Sequence, residues 1–330
     1  MLLSPTVILY QEENPNNMND MIRTMLDVPY VRLKFELEMK ENAALPASKP
    51  SALRGGMGQM LLKSCCVADR NCEACRFRKE CIVQRIMYSP FAVKPSFVTE
   101  GESIGFIIIC EDYRKSCCQG DILTFSMTLF GGTIVYFYQI LQAFYMLGLE
   151  GLGKEKAQFS IRRVMSTGGS PLVSGMDIDM SQYRIRTLAE YVQYRKRNGR
   201  QEKRMKFHTP VSVKYMGEQI QSFSPEAVLS ALCRRIYMLD CYMGIDVPQF
   251  DITGRLPVMT GQWARTAGTA RFSTRHMEKI HLNGIQGFMD LEDIDDDIYD
   301  LLLAGEITHI GKNTKFGFGR YTMLSAEQED

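Results

Sequence analysis

Five of the chain's ten cysteines fall between Cys65 and Cys81, spaced Cys65-Cys66-x5-Cys72-x2-Cys75-x5-Cys81. A Cys-x2-Cys turn presents two thiolates on one side. A flanking cysteine at each end completes a tetrahedral four-sulfur site with metal–sulfur bonds of about 2.3 Å. Adjacent residues rarely point at one metal, so only one of Cys65 and Cys66 is expected to serve. Arg70, Arg76, Arg78 and Lys79 would offset the negative charge of such a site. The spacing predicts a structural zinc. An iron–sulfur cluster, which also takes four thiolates, is the alternative, and free buried thiols are the plainest reading. Four thiolates leave no position open for water, so the metal braces the fold and no catalytic metal is expected.

The other candidates are histidines and a glycine-rich run. Histidine exchanges protons near neutral pH, which suits it to general acid–base work. The chain has four, His208, His276, His281 and His309. His208 stands just before Thr209-Pro210, and His309 lies two residues before Gly311-Lys312. Gly305, Gly311, Gly317 and Gly319 permit positive φ and a close approach of backbone N–H groups to a phosphate. Lys312, Lys315 and Arg320 would neutralise it, while Phe316, Phe318 and Tyr321 offer faces for stacking or core packing. A bend that merely lets a last strand join its sheet is the plainer reading of this run.

The elements that must position these residues can be read from periodicity. Tyr30 to Met39 alternates apolar and polar residues, a strand with one buried face. Ser51 opens a helix with Leu53, Met57, Met60 and Leu61 on one face. Strands are expected over Phe91–Thr99, Ile104–Cys110 and Ile122–Leu129. A buried helix from about Thr133 to Leu147 and a strand from Gln158 to Val164 follow. The second half repeats the theme: a strand over Phe207–Tyr215, a helix over Pro225–Met243 capped by Ser224, and strand material over Ala270–Met289. A short helix in Ile294–Leu303 and a final strand close the chain. The expected fold class is α+β: two tandem ferredoxin-like (RRM-like) domains with the four-cysteine insertion in the first. The boundaries expected are 1–180, a basic connector 181–205 holding all but the last residue of the basic stretch Arg195 to Lys206, and 206–330.

The 330 residues are enough for two cores. Net charge is only +1, so any nucleic-acid signal lies in its distribution. The apolar run Thr133–Leu149 contains Gln139 and Gln142 and is too short to span a bilayer. No secretory signal is visible, and a cytoplasmic protein without membrane contact is expected. In that reducing compartment the cysteines are not expected to form disulfides.

Several segments, in order, resemble the repeat-processing endoribonucleases of CRISPR antiviral systems, within the RAMP superfamily. They are SALRGGMGQML (Ser51–Leu61), MTLFGG (Met127–Gly132), LGLEGLGKEKAQF, KFHTPVSVKYMG (Lys206–Gly217), the stretch from Trp263 to Gly287, and THIGKNTKFGFGRY (Thr308–Tyr321). The resemblance implies binding of CRISPR repeat RNA and metal-independent cleavage of precursor crRNA. In that reaction the ribose 2′-OH attacks the adjacent phosphate, leaving a 2′,3′-cyclic phosphate. It implies a base, an acid and a cation for the phosphorane charge. His208 and His309 are the expected proton-transfer residues. Tyr30, Lys49 and Arg54 are the candidates for a histidine-free site. Arg265, Arg271 and Arg275 join Gly311, Lys312, Lys315, Gly317, Gly319 and Arg320 as expected RNA contacts. Members of this family often carry a histidine around the first helix, and this chain has none before His208. That departure leaves open a non-cutting RAMP subunit that holds crRNA in an effector complex.

Overall fold

The computed structural model describes residues 22 and 24–325, apart from 73, 99–103, 168, 198–201, 246, 248–255 and 274–277. The first unit contains β1 (Pro29–Met39), α1 (Lys49–Cys65), the short α2 (Ile82–Met87), β2 (Phe106–Ile109), β3 (Ile122–Phe130), α3 (Phe137–Glu150) and β4 (Phe159–Ser166). Its antiparallel sheet runs β2-β3-β1-β4. β5 (Pro171–Ser174) and β6 (Asp177–Ile178) extend it, and β7 (Arg186–Thr187) pairs with the start of β1. α4 (Leu188–Arg197) leads to the second unit: β8 (Arg204–Phe207), α5 (Pro225–Met243), β9 (Val258–Ser273), β10 (Glu278–Glu292), α6 (Asp296–Thr308) and β11 (Tyr321–Leu324). That sheet runs β9-β10-β8-β11. Both orders place the first strand between the third and the fourth, the ferredoxin-like βαββαβ pattern. The α+β expectation therefore holds.

Local sequence explains the elements. β1 buries Val31, Leu33, Phe35, Leu37 and Met39 and turns Arg32, Lys34, Glu36 and Glu38 outward, the two-residue period of a half-buried strand. Ser224 caps α5, its Oγ accepting from the Ala227 N–H at 3.2 Å. Pro225 starts that helix and Gly244 ends it at φ +79°. α3 buries Phe137, Ile140, Ala143, Phe144 and Leu147 but leaves Tyr138, Tyr145 and Leu149 exposed, so the apolar run is one-sided rather than buried all round. No helix among the described residues is long and apolar enough to cross a membrane.

Four expectations on elements change. The strand expected over Phe207–Tyr215 runs instead over Arg204–Phe207, followed by an isolated bridge at Val211 and a two-residue strand at Lys214–Tyr215. Residues 91–98 form no strand: Pro90 and Pro95 lack an N–H for a ladder, and the Val93 N–H donates to Cys241 O at the end of α5. The basic stretch begins as helix. In α4, Arg195 pairs with Glu306 at 2.5 Å and with Glu202, and Lys196 pairs with Asp300, which ties α4 to α6. Finally, β9 begins at Val258, not Ala270, giving a long β9–β10 hairpin.

The two halves pack into one another. Thr133 Oγ1 and the Tyr242 hydroxyl lie 2.8 Å apart, joining the end of β3 to the end of α5. Arg235 on α5 donates from Nε to Thr308 O at 3.1 Å and from Nη2 to Ile104 O at 3.5 Å, with its guanidinium 5.9 Å from the Phe130 ring centre.

Asp240, also on α5, is 0% exposed, and neither carboxylate oxygen has a hydrogen-bond partner. Burial pushes its pKa up to about 8 from an ordinary 3.8. Because the folded value is the higher, stability is full below the unfolded pKa and is lost as pH rises towards about 8. Asp240→Asn should flatten this slope. Urea midpoints of both proteins across that range test it, and parallel pH profiles would refute the assignment.

Candidate nucleic-acid interface and active site

Period-two alternation along β8 turns Met205 and Phe207 into the core and Arg204, Lys206 and His208 to the helix-free face of the second sheet. Cross-strand register then builds two rows on that face. Trp263, Phe288, Lys206 and Thr322 face one another across β9, β10, β8 and β11. The neighbouring row is Arg265, Gln286, His208 and Arg320: Arg265 is opposite Gln286, the Gln286 amide donates to His208 O at 2.8 Å, and the His208 N–H donates to Arg320 O at 2.9 Å. Trp263 is 51% exposed, with the Arg265 guanidinium 5.9 Å from its ring centre. Phe288 has one face covered by Arg204 at 4.2 Å, and Arg204 is itself held by Asp290 through a 2.7 Å and a 3.0 Å hydrogen bond. Trp263 is thus the aromatic of the pair with open surface.

His208 is half-buried. Its Nε2 shares a 2.7 Å hydrogen bond with Thr322 Oγ1, which fixes the ring. Burial first, and the Arg320 charge second, hold its pKa below the ordinary histidine value. The ring is neutral at pH 7 and able to accept a proton. Arg320 forms an ion pair with Glu111, just beyond β2, so the first domain contributes a residue to this edge.

The glycine-rich run does something other than the sequence suggests. A Cβ on Gly319 (φ +68°) would lie 1.9 Å from Ile310 O, and one on Gly311 (φ +79°) 2.4 Å from Ser212 O. The Gly317 N–H donates to Thr314 O and the Gly319 N–H to Pro210 O, so neither is free to cradle a phosphate. Thr209 Oγ1 bridges the same strands, donating to Gly317 O at 2.7 Å and accepting from the Arg320 N–H at 2.9 Å. The glycines are there for backbone contact. Lys312 alone of the run's cations is exposed; Lys315 sits 5.7 Å from the Phe316 ring centre.

Comparisons with known proteins bear on both halves. Residues 26–186 match a family described as an N-terminal domain, and residues 205–321 match the CRISPR-associated endoribonuclease Cas6. The likeness to Cas6 by sequence is carried by that second segment. Among solved structures, a partial Cas6-RT-Cas1–Cas2 complex aligns over 92% of the chain at 11% identity and a TM-score of 0.55. The chain spans 47% of that longer protein. Two Cas6 proteins in product complexes each align over 90% of the chain and all of their own length, at 17% identity with a TM-score of 0.50 and at 14% with 0.51. At these identities the likeness concerns the fold. No curated protein matches the chain by sequence.

Within this Cas6 fold the remaining candidates separate. His309 is 2% exposed and caps the end of α6; its Nδ1–H donates to Phe318 O at 3.1 Å, and burial pushes its pKa down to about 3. It is a core histidine, held against the backbone of the glycine-rich run. Tyr30 is buried, its phenol pushed up to about 12, chiefly by burial. Lys49 is buried with Nζ donating to Arg114 O at 2.6 Å. Two of the three residues of the histidine-free candidate thus lie inside the fold. Arg54 instead lies 5.5 Å from the Phe316 ring centre, where α1 meets the glycine-rich run. Arg275 lies outside the described residues, and of Arg271 only its strand position opposite Ile280 is described. Sequence reasoning missed Trp263, Lys206, Gln286 and Thr322 as one surface; the alternation in RMKFH was the available signal.

The cysteines lie between α1 and α2. Among the described residues no group of three or more His, Cys, Asp or Glu side chains converges as a single metal ion would need. Cys65, Cys66, Cys72, Cys75 and Cys81 instead all line one cavity of about 200 Å³. The Arg70 N–H donates to Cys66 Sγ at 3.3 Å.

If the glycines serve backbone contact, Gly319→Ala should destabilise the protein by more than about 1 kcal/mol. His309→Ala should cost on the order of 2 kcal/mol, and Lys312→Ala next to nothing. Urea unfolding measures all three; a neutral Gly319→Ala would mean the loop has the room a phosphate cradle requires.

Proposed function

We propose that this chain binds CRISPR repeat RNA on the helix-free face of its second sheet and cleaves it there by 2′-OH attack, without a catalytic metal. The observation that carries the reading is the row Arg265–Gln286–His208–Arg320. It lies in the part of the chain that matches the Cas6 endoribonuclease, and it sets a neutral, oriented imidazole between cations. His208 accepts the proton of the 2′-OH as that oxygen bonds to phosphorus. Arg320 faces the charge growing on the non-bridging oxygens. The bond from phosphorus to the 5′-oxygen breaks, and the leaving oxygen takes a proton from solvent. Trp263 gives an unpaired base a stacking surface, and Lys206 and Arg265 neutralise flanking phosphates.

The chain has no histidine before His208. That favours, as a second reading, a subunit that holds crRNA without cutting it. Cleavage separates the two.

Cutting should proceed in EDTA, leave a 2′,3′-cyclic phosphate, and stop when the 2′-OH at the cut is replaced by hydrogen. His208→Ala should slow it by on the order of 10²-fold or more. As the base must be unprotonated, the wild-type rate should fall as pH drops through a value below 6.5, the ordinary histidine pKa. Single-turnover rates across pH measure this; a His208→Ala variant cutting at full rate would end the proposal, and tight binding without any cutting would favour the second reading.

Binding is tested separately. Trp263→Ala should weaken repeat-RNA affinity by about 1–3 kcal/mol. Lys206→Ala with Arg265→Ala should reduce the slope of log affinity against log salt by roughly 1.4, at about 0.7 per phosphate contact on a single strand. Filter binding at several salt concentrations reads both, and unchanged values would move the RNA off this face.

A further inference from the structure

The cysteines pose a problem that a single zinc does not solve. A zinc ion closed by four thiolates at about 2.3 Å draws the sulfurs into mutual contact and leaves no void. Here no three potential ligands among the described residues converge on one point, and yet five cysteines share one cavity. Its volume of about 200 Å³ is several times the ~30 Å³ share of one water molecule in the liquid. Leu62, Phe77 and Ile82 share the wall with Asn71, Arg78 and Glu80, and Phe77 is 62% exposed, so the cavity opens to solvent on one side.

We propose that this cavity takes an iron–sulfur cluster, ligated by Cys66, Cys72, Cys75 and Cys81. Cluster thiolates bond to separate iron atoms spread around an inorganic core, so their sulfurs stand apart around a volume instead of meeting at a point. The choice of four follows from position and hydrogen bonding. Cys66-x5-Cys72-x2-Cys75-x5-Cys81 is symmetric about its centre, a pattern that Cys65 would break. The Cys66 sulfur accepts the Arg70 N–H, and Arg70 sits at φ +63°, a left-handed turn that brings its N–H back to the sulfur. Cys65, the last residue of α1, packs against the core of the first domain, as Cys81 also does, and what separates it from Cys66 is its 3.4 Å contact with Ser64 Oγ in place of a backbone N–H. Cys66 caps α1 and Cys81 precedes α2, so the cluster ties the two helices together. Arg78 at the cavity and Arg70 in the loop offset the charge of the thiolates. The proposal is independent of where RNA is cut.

The test is elemental and spectroscopic, on the full chain purified without oxygen. Iron and acid-labile sulfide should be equimolar, with at least two of each per chain, accompanied by the broad visible absorbance of thiolate-ligated iron. Protein obtained without metal should gain the same signals on adding ferrous iron and sulfide under reductant. Cys65→Ala should keep the cluster and Cys66→Ala should lose iron and absorbance. One zinc per chain without sulfide, or failure of the wild type to take up iron and sulfide, overturns the proposal. A cluster that survives Cys66→Ala but not Cys65→Ala overturns the ligand assignment.

Discussion

Backbone contact at the glycine-rich run holds the rest of the structure in place. Gly311 brings the run against Ser212 and Gly319 folds it onto its own Ile310, both at distances no side chain permits, and a Cβ on Gly317 would lie 2.9 Å from Ile108 O of the first domain. The run therefore seals the second sheet and presses it against β2 and α1. Phe316, buried there, meets Arg54 from α1. Thr133 with Tyr242, and Arg235 with Ile104, close the other end of the seam. Two ferredoxin-like units thus behave as one body, and His208 and Arg320 emerge at its edge because the run leaves them there.

That placement sets the electrostatics. Burial first and the Arg320 charge second hold the His208 pKa below its ordinary value, against the opposing pull of Glu111, while a cation remains close by. A neutral base next to a cation is a poor arrangement for holding an extra proton and a good one for receiving it as negative charge develops on a phosphate. The buried network of Arg195, Glu306 and Tyr191 is built from the same residue types but is closed on itself. It anchors α4 to α6 and offers nothing to a ligand.

Much of the fold was legible because strand alternation and helix caps report burial directly: β1, α5 and β11 stand where periodicity puts them. The failures have physical reasons. Residues 91–98 have the composition of a strand, but prolines remove the N–H groups a ladder requires. The basic stretch reads as solvated because sequence does not reveal that Glu306 and Asp300 wait for Arg195 and Lys196. His309 and His208 look alike in sequence, each beside glycine or proline; only the fold distinguishes the one sealed under Phe318 from the one facing out. The glycines were correctly tied to close approach, but to backbone of the same chain. The interface rows depend on register between β8, the β9–β10 hairpin and β11, which are far apart in sequence, so no local pattern could have assembled them.

The central claim is that a neutral His208 meets the RNA phosphate. The chain's four histidines make a ring-proton NMR titration tractable. His208 in the free protein should titrate below the ordinary 6.5. Repeat RNA carrying a 2′-deoxy nucleotide at the cut should move that midpoint upward, because a nearby phosphate favours the imidazolium. A free midpoint at or above 6.5, or one that saturating RNA leaves unmoved, would contradict the account.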